Sequence, residues 1–266
     1  MDTASLPTEF NGRVFTAPPA AGDDAITAYG PGRVTLIQQC VFDFRNCPQD
    51  RQDEIIDGVR GAVVRLQGCV ILGGIKAMLA GNGDNPGNDV RYANWELENC
   101  VIIGSGRRCP EAQDGAAVTM RRCWIHNWGR AFDVRAFGAW AHRGALIAAE
   151  DCLFTQSSFW GPGLRNMLVD LGNHIGQAVN DNGLAALLHP RTYLPGVCRG
   201  LTASTGGQTL ATRCYRNKRW IRVDGCNSYL DREQARAVVA TIANACPDVT
   251  KYLGQDLARF FDDAIC

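Results

Sequence analysis

Five short segments of the chain alternate apolar and polar positions in the same way, each ending at a cysteine and the two residues after it. Each has an apolar or β-branched residue five positions before the cysteine, an apolar residue three positions before it and two apolar residues directly after it. The segments are Thr35–Phe42, Val64–Ile71, Trp95–Ile102, Val118–Ile125 and Ile147–Phe154. A period of two over so few residues is typical of a β-strand and not of a helix.

The five cysteines recur at intervals of 29, 31, 23 and 29 residues, at Cys40, Cys69, Cys100, Cys123 and Cys152. A repeat of this length that is built on short strands is typical of a solenoid. The leucine spacing and the asparagine of a leucine-rich repeat are missing. We therefore predict an all-β parallel β-helix, in which each coil has a strand, a sharp turn at the cysteine, a second short strand and a longer loop. Coils stack about 4.8 Å apart, so the five cysteines would form one ladder.

The repeat divides the chain into three parts. Residues 1–22 are predicted to form an N-terminal arm, residues 23–229 the β-helix and residues 230–266 a helical cap over an open end of the solenoid, where strand edges would otherwise be exposed. In the cap, Asp231 is a candidate N-cap and apolar residues recur at helical spacing. Between residues 157 and 200 the repeat fails, which predicts a loop with short helices. Ile221–Cys226 is a candidate later coil.

Charge and composition exclude several classes of partner. Lys plus Arg and Asp plus Glu number 27 each, so no net charge draws the chain to nucleic acid or to an anionic membrane. No apolar run is long enough to span a membrane. The first residues show no basic stretch followed by an apolar one, so the secretion that we expect does not rest on a signal peptide.

Twelve cysteines are a high and even count, which suits a secreted protein with some disulfides. The chain has no CxxC pair and only four histidines, which argues against a zinc site. Cysteine is also small and readily buried, and stacked cysteines approach the separation of a disulfide. We favour buried free thiols for the ladder and assign no pairing.

Charged residues recur at the same region of three consecutive predicted coils. Asp53 and Asp57 are four residues apart and share one face of a straight strand, where two carboxylates suit calcium or are simply solvated. Lys76 stands alone in an apolar, glycine-rich stretch, and Arg108 precedes Cys109-Pro110. Taken singly, each of these residues fits an ordinary solvated surface position as well as it fits a functional site. Together they would lie side by side on stacked coils.

The order and spacing of these residues resemble the pectate lyase superfamily, and within it the extracellular calcium-dependent pectate lyases. The resemblance covers about residues 23–156 and is carried by Asp24–Ile26, Val34–Phe42, Asp53–Asp57, Val64–Cys69, Lys76–Gly81, Arg108–Pro110, Phe132–Arg135 and Ala148–Cys152. It implies a right-handed parallel β-helix. It also implies a secreted lyase that cleaves polygalacturonate with the help of Ca²⁺, and we expect this lyase to be a monomer.

The resemblance implies a role for each residue that matches the motif. Asp53 and Asp57 would be calcium ligands, Lys76 would bind a carboxylate of the substrate and Arg108 would be the base that removes the C5 proton. Free arginine is a poor base at neutral pH, so we expect the rate to be highest at alkaline pH, with the charges of calcium and Lys76 disfavouring protonation of Arg108. Asp43, Asp50 and Glu54 are nearby acids that could complete the calcium sphere, but the motif does not place them.

The chain departs from the family at two positions. Gln38 stands in the coil where the family usually has an aspartate and would be a weaker, uncharged calcium ligand. Gln113 stands where a second arginine usually follows, and we expect it to contact the substrate together with Arg135.

Two other interpretations of the function stay open. The first is a lyase or epimerase that acts on another uronate polymer, which the glutamines favour. The second is a non-catalytic, carbohydrate-binding β-helix, since a fold alone does not decide function. His126 and His142 lie beside tryptophans, which either stack on sugar rings or, more commonly, pack on the flank of the solenoid.

Overall fold

The computed structural model describes residues 8–20, 23–30, 33–47, 54–59, 61–74, 76–80, 93–105, 110–128, 138–155, 199–218 and 221–265. In this part of the chain the fold is mostly β, with three parallel sheets of seven strands and helices near the C-terminus. Successive strands belong to sheets A, B and C in turn, so strands that are three apart in the chain are hydrogen-bonded neighbours. This arrangement is consistent with a parallel β-helix.

The strands of each sheet follow one another in chain order. Sheet A contains β1 (Glu9–Asn11), β4 (Val34–Gln38), β7 (Val63–Gln67), β10 (Asn94–Glu98), β13 (Ala117–Arg121), β16 (Leu146–Glu150) and β19 (Gln208–Thr212). Sheet B contains β2 (Val14–Phe15), β5 (Val41–Phe44), β8 (Val70–Gly73), β11 (Val101–Ile103), β14 (Trp124–His126), β17 (Leu153–Thr155) and β20 (Tyr215–Arg216). Sheet C contains β3 (Ile26–Tyr29), β6 (Glu54–Val59), β9 (Lys76–Ala80), β12 (Glu111–Ala112), β15 (Ala139–Ala141), β18 (Arg199–Ala203) and β21 (Arg222–Val223).

A residue with left-handed backbone forms the corner between sheets A and B in six successive coils. These residues have φ between 49° and 60°, and a cysteine follows each of them: Gln39, Gly68, Asn99, Arg122, Asp151 and Arg213. The cysteines Cys40, Cys69, Cys100, Cys123, Cys152 and Cys214 are fully buried. The predicted ladder of five is thus confirmed, and Cys214 extends it by one coil.

The thiols of the ladder bond to the backbone of the neighbouring coil. The Sγ of Cys69 donates to the carbonyl of Ile37 at 3.4 Å, and that of Cys123 to the carbonyl of Leu97 at 3.5 Å. The six cysteines of the ladder are free thiols, which agrees with the interpretation that we favoured. A small side chain with a weak donor suits this tight interior corner.

The first coil begins earlier than predicted. Residues 9–15 fall in the predicted N-terminal arm, but β1 pairs with β4 of sheet A and β2 pairs with β5 of sheet B. Gly12, with φ of 61°, forms the corner, and Arg13 stands where later coils have cysteine. The pattern missed this coil because it has no cysteine. Phe15 stacks on Phe42 of the next coil, with ring centroids 4.7 Å apart.

Three helices follow the strands: α1 (Arg232–Ala245), α2 (Thr250–Leu253) and α3 (Leu257–Ile265). Asp231 is the N-cap of α1, as predicted, and its side chain accepts a bond from the backbone N–H of Gln234 in a capping box. α1 ends at Ala245, directly before Cys246-Pro247.

The helices lie against the outer side of sheet B, and not over an open end as the predicted cap would. They share one apolar cluster with the first residue of each of six neighbouring strands: Val41, Val70, Val101, Trp124, Leu153 and Tyr215. The reason lies in the two apolar residues that follow each cysteine. The second points into the core between the sheets, whereas the first points outward and needs a cover.

Candidate functional site

The outer face of sheet C carries a row of polar and aromatic residues. Register pairs Thr27 with Asp57, Glu111 with Trp140 and Trp140 with Thr202, and position 79 of β9 stands in register between Asp57 and Glu111. The next position along each strand faces the core and is small: Ala28, Gly58, Ala80, Ala112, Ala141 and Ala203. Because side chains alternate between faces of a strand, the polar row faces away from the core.

The strand that carries Asp57 is the direct neighbour of the strand that carries Lys76. In the register of β6 and β9, Glu54 is opposite Lys76 and Asp57 is opposite Leu79. Glu54 is buried and Asp57 is half-buried. Two residues that were predicted to fall on neighbouring coils therefore lie on adjacent strands of one sheet.

Carboxylates collect at this end of sheet C. Asp24 accepts a bond of 3.0 Å from the hydroxyl of Thr27, and Thr27 is the register partner of Asp57. Carboxylate and hydroxyl oxygens are ligands that suit calcium, so the donor chemistry fits that ion. Within the described ranges, no three His, Cys, Asp or Glu side chains are grouped so as to hold a metal ion.

Gln38 is not brought to this face. It lies in β4 of sheet A, where its Nε2 donates to Oε1 of Gln67 at 2.8 Å. Asp43 is likewise elsewhere, in β5 of sheet B, and hydrogen bonds from Arg45 hold the pKa of its carboxyl below the usual value. Neither residue therefore joins the carboxylates of sheet C.

The other predicted site residues divide into two groups. Gln113 follows β12 directly, and its backbone N–H donates to the carbonyl of Ala80 at 2.9 Å, which keeps it at the sheet C side. Asp50, Asp53, Arg108 and Arg135 lie outside the described residues.

A buried pair in the same face was not found from the sequence. Oε1 of Glu111 and Nε2 of His142 are 2.8 Å apart, and both side chains are less than one tenth exposed. The imidazole ring stacks on the indole of Trp140, with centroids 3.9 Å apart and 5° between the planes. Nε1 of Trp140 donates to Oγ of Ser204 at 2.9 Å. Four residues from three strands and their ends thus form one connected cluster.

The polar row continues beyond Trp140. The hydroxyl of Thr202 donates to Oδ2 of Asp224 at 2.7 Å. Carboxylates thus lie on both sides of Trp140 along sheet C. A polymer that lies along the sheet would contact an acidic, an aromatic and a second acidic side chain in turn.

His126, the other histidine beside a tryptophan, belongs to the structural core. It is buried under α3 and packs edge to face against Phe260, with centroids 5.4 Å apart. Its Nδ1 is 2.9 Å from the hydroxyl of Thr155, and burial lowers its pKa to about 4. Of the two readings for His126, packing on the flank is the one that the structure bears out.

No family model matches the chain, and neither does any curated protein or solved structure. The resemblance to pectate lyases therefore stays a prediction. None of the described helices is long and apolar enough to cross a membrane.

Proposed function

We propose that the chain is a polysaccharide lyase with a right-handed parallel β-helix fold, and that it cleaves polygalacturonate by calcium-assisted β-elimination. The observation that carries the proposal is the adjacency of β6 and β9 in sheet C, with Glu54 opposite Lys76 and the Asp57 side chain on the outer face. A lyase of this kind needs acids for a cation and a lysine for the substrate carboxylate within the reach of one sugar unit. Adjacent strands are about 4.8 Å apart, and this spacing separates Glu54 from Lys76, while Asp57 lies three residues further along β6.

Each residue has a distinct role in this proposal. Asp57 and Asp53 would hold calcium, which when bound would draw negative charge from the substrate carboxylate and so acidify the C5 proton. Lys76 would bind the same carboxylate and orient the sugar. Arg108, three residues before β12, would remove the proton, and Gln113 and Arg135 would contact neighbouring sugar units.

The substrate class predicts where the enzyme acts. A polymer such as polygalacturonate is met outside the cell, so we propose a secreted protein. A single chain supplies all the residues that the mechanism uses, so we propose a monomer.

The test follows the unsaturated product by its ultraviolet absorbance, with purified protein, polygalacturonate and alkaline buffer, first with calcium and then with chelator. We expect a rise that calcium restores after chelation. Asp57→Asn should weaken the calcium response, and Arg108→Ala should abolish turnover while the circular dichroism spectrum is kept. Gln38→Ala is the matched control, because Gln38 lies on sheet A and should leave the rate unchanged. Retained turnover in Arg108→Ala would refute the role of Arg108.

A second candidate is a lyase or epimerase that acts on another uronate polymer. It is favoured by Gln113, which brings no charge to the position where an arginine would pair with a second substrate carboxylate. A panel of acidic polysaccharides in the same assay separates the two candidates. Binding of one of these polymers without any product would indicate a non-catalytic carbohydrate-binding protein.

A further inference from the structure

We infer that Trp140 is a sugar-binding platform, on which the ring of a saccharide unit stacks, and that Glu111 and His142 are the residues that position it. The choice of a uronate polymer as ligand rests on the proposed function. The platform itself rests on the contacts that fix the indole ring and on its place in the outer row of sheet C.

The indole of Trp140 is held in one orientation by two independent contacts. Its ring lies flat on the imidazole of His142, and its Nε1 donates to the hydroxyl oxygen of Ser204. These contacts fix both the plane of the ring and its rotation within that plane. A rigid aromatic side chain loses little conformational entropy when a ligand binds, so this arrangement favours binding over simple packing.

Trp140 differs from the other tryptophans that the structure describes. Trp95, Trp124 and Trp128 are fully buried, whereas Trp140 keeps part of its surface accessible. Trp95 and Trp128 belong to the core between the sheets, and Trp124 is covered by the helices. An aromatic side chain that is oriented but still accessible is suited to the apolar face of a sugar ring, while its N–H end stays bonded.

The pair formed by Glu111 and His142 adds orientation more than stability. A buried, hydrogen-bonded pair of this kind is often no more stable than apolar residues of the same volume. It does, however, fix the rotation of the imidazole, because Nε2 is tied to the carboxylate of Glu111. The plane of the imidazole then sets the plane of Trp140. Glu111 and His142 are buried, so they act through Trp140 and not by touching a ligand.

The position of Trp140 matches a polymer that runs along sheet C. In the register of the sheet, Trp140 lies three strands from Asp57, which is about 14 Å at the usual strand spacing. That distance spans several sugar units. A polymer that reacts beside Asp57 and Lys76 would therefore present a more distant unit to Trp140, so we expect the platform to affect binding more than the chemical step.

The test measures binding of oligogalacturonate by titration calorimetry in the presence of chelator, so that calcium is not involved. Trp140→Ala should weaken binding about tenfold, as is common for a central tryptophan, whereas Trp140→Phe should keep affinity within about threefold. Glu111→Ala should weaken binding, and Glu111→Gln, which keeps an oxygen acceptor for the imidazole, should restore it. Tyr229→Ala is the matched control, because Tyr229 is an exposed aromatic residue that stacks with Arg216 away from this cluster.

The same variants separate the platform from the lyase activity. If Trp140→Ala loses affinity while the wild-type protein yields no product from any uronate polymer, the platform stands and the lyase proposal fails. If the wild type is an active lyase, Trp140→Ala should raise KM and leave kcat nearly unchanged. Unchanged affinity and KM in Trp140→Ala, an equal loss in Tyr229→Ala, or no binding by the wild type would each overturn the platform.

Discussion

The indole ring of Trp140 lies parallel to the imidazole ring of His142, with 3.9 Å between the centroids and 5° between the planes. His142 is tied in turn to Glu111, which lies on the neighbouring strand of sheet C. The stack therefore joins an accessible aromatic surface to a buried acid through one imidazole. Since these residues come from β12, β15 and the turn after β15, the position of Trp140 depends on the stacking of two coils and not on any local sequence.

The hydrogen bond between Glu111 and His142 should contribute measurably to the free energy of unfolding. Glu111→Ala leaves a buried imidazole nitrogen without its partner and should lower the free energy of unfolding by about 1–3 kcal/mol. Glu111→Gln should lower it by less, because an oxygen acceptor remains. Urea unfolding followed by circular dichroism measures both.

Glu96→Ala is the control for the loss of an acid on this scaffold. Glu96 pairs with Arg65 at 3.1 Å on sheet A, with about half of each side chain exposed, so its loss should cost less than about 1 kcal/mol. Equal losses for Glu96→Ala and Glu111→Ala would mean that burial of the Glu111 pair does not matter.

Much of the sheet architecture could be predicted from the sequence because each coil repeats the same local requirement. A short alternating strand, a left-handed corner residue and a small buried residue recur with little variation, and Cys69 and Cys100 mark them plainly. The first coil was missed because Gly12 forms the left-handed corner there, but an exposed arginine, Arg13, stands in the place of the cysteine. The side on which the helices pack was also missed, since an apolar residue such as Val70 looks the same whether it faces the core or a helix.

The site was less predictable for a different physical reason. Asp57 and Lys76 could be brought together by counting coils, because both lie on strands of one sheet. Gln38 was assigned to the same site although its strand belongs to another sheet, which alternation alone does not reveal. Glu111 and His142 are 31 residues apart, and β12 has only two residues, so no local pattern connects them.

The thiols of the ladder and the thiol of Cys246, which lies beside it at the end of α1, should be inert in the folded protein. A hydrogen bond with the Cys123 thiol, together with burial, raises the pKa of Cys100 well above its usual value, and burial raises that of Cys246 to about 12. Since the thiolate is the reactive form, iodoacetamide at neutral pH should modify these two slowly. Cys47 and Cys226, which are only half-buried, should react first.

Peptide mass spectrometry of the alkylated protein measures the order in which the cysteines react. In urea all four cysteines should react at similar rates, which controls for the chemistry of each peptide. Modification of Cys100 as fast as Cys47 in the native protein would contradict a closed ladder.

The contact between α1 and the coils can be tested at Gly68. This glycine has φ of 60°, and a Cβ there would press on the carbonyl oxygen of Ala245 at the end of α1. Gly68→Ala therefore combines left-handed strain with a backbone clash and should lower the free energy of unfolding by more than about 2 kcal/mol.

Gly144→Ala is the matched variant, because Gly144 has φ of 78° and nothing within 4 Å of its Cβ position. It should cost about 1 kcal/mol, from strain alone. The difference between the two variants in urea unfolding measures the packing of α1 on the sheets. If the two variants lose the same free energy of unfolding, α1 moves away from the added Cβ at position 68 without a cost in stability.

The buried imidazole of His126 should make stability depend on pH in a defined direction. Burial lowers the pKa of His126 to about 4, and Nδ1 of its ring lies 2.9 Å from the hydroxyl of Thr155. In the unfolded chain the same histidine takes up a proton near its ordinary pKa of about 6.5. Between about pH 6.5 and pH 4 the unfolded state therefore binds more protons than the folded state, so stability is full above this window and falls as the pH is lowered through it. The loss due to His126 should reach about 2–3 kcal/mol near pH 4.5.

His126→Gln removes this titration. The difference in free energy of unfolding between wild type and variant, measured by urea unfolding, should therefore shrink by that amount from pH 7 to pH 4.5. A constant difference would show that His126 is protonated equally in both states.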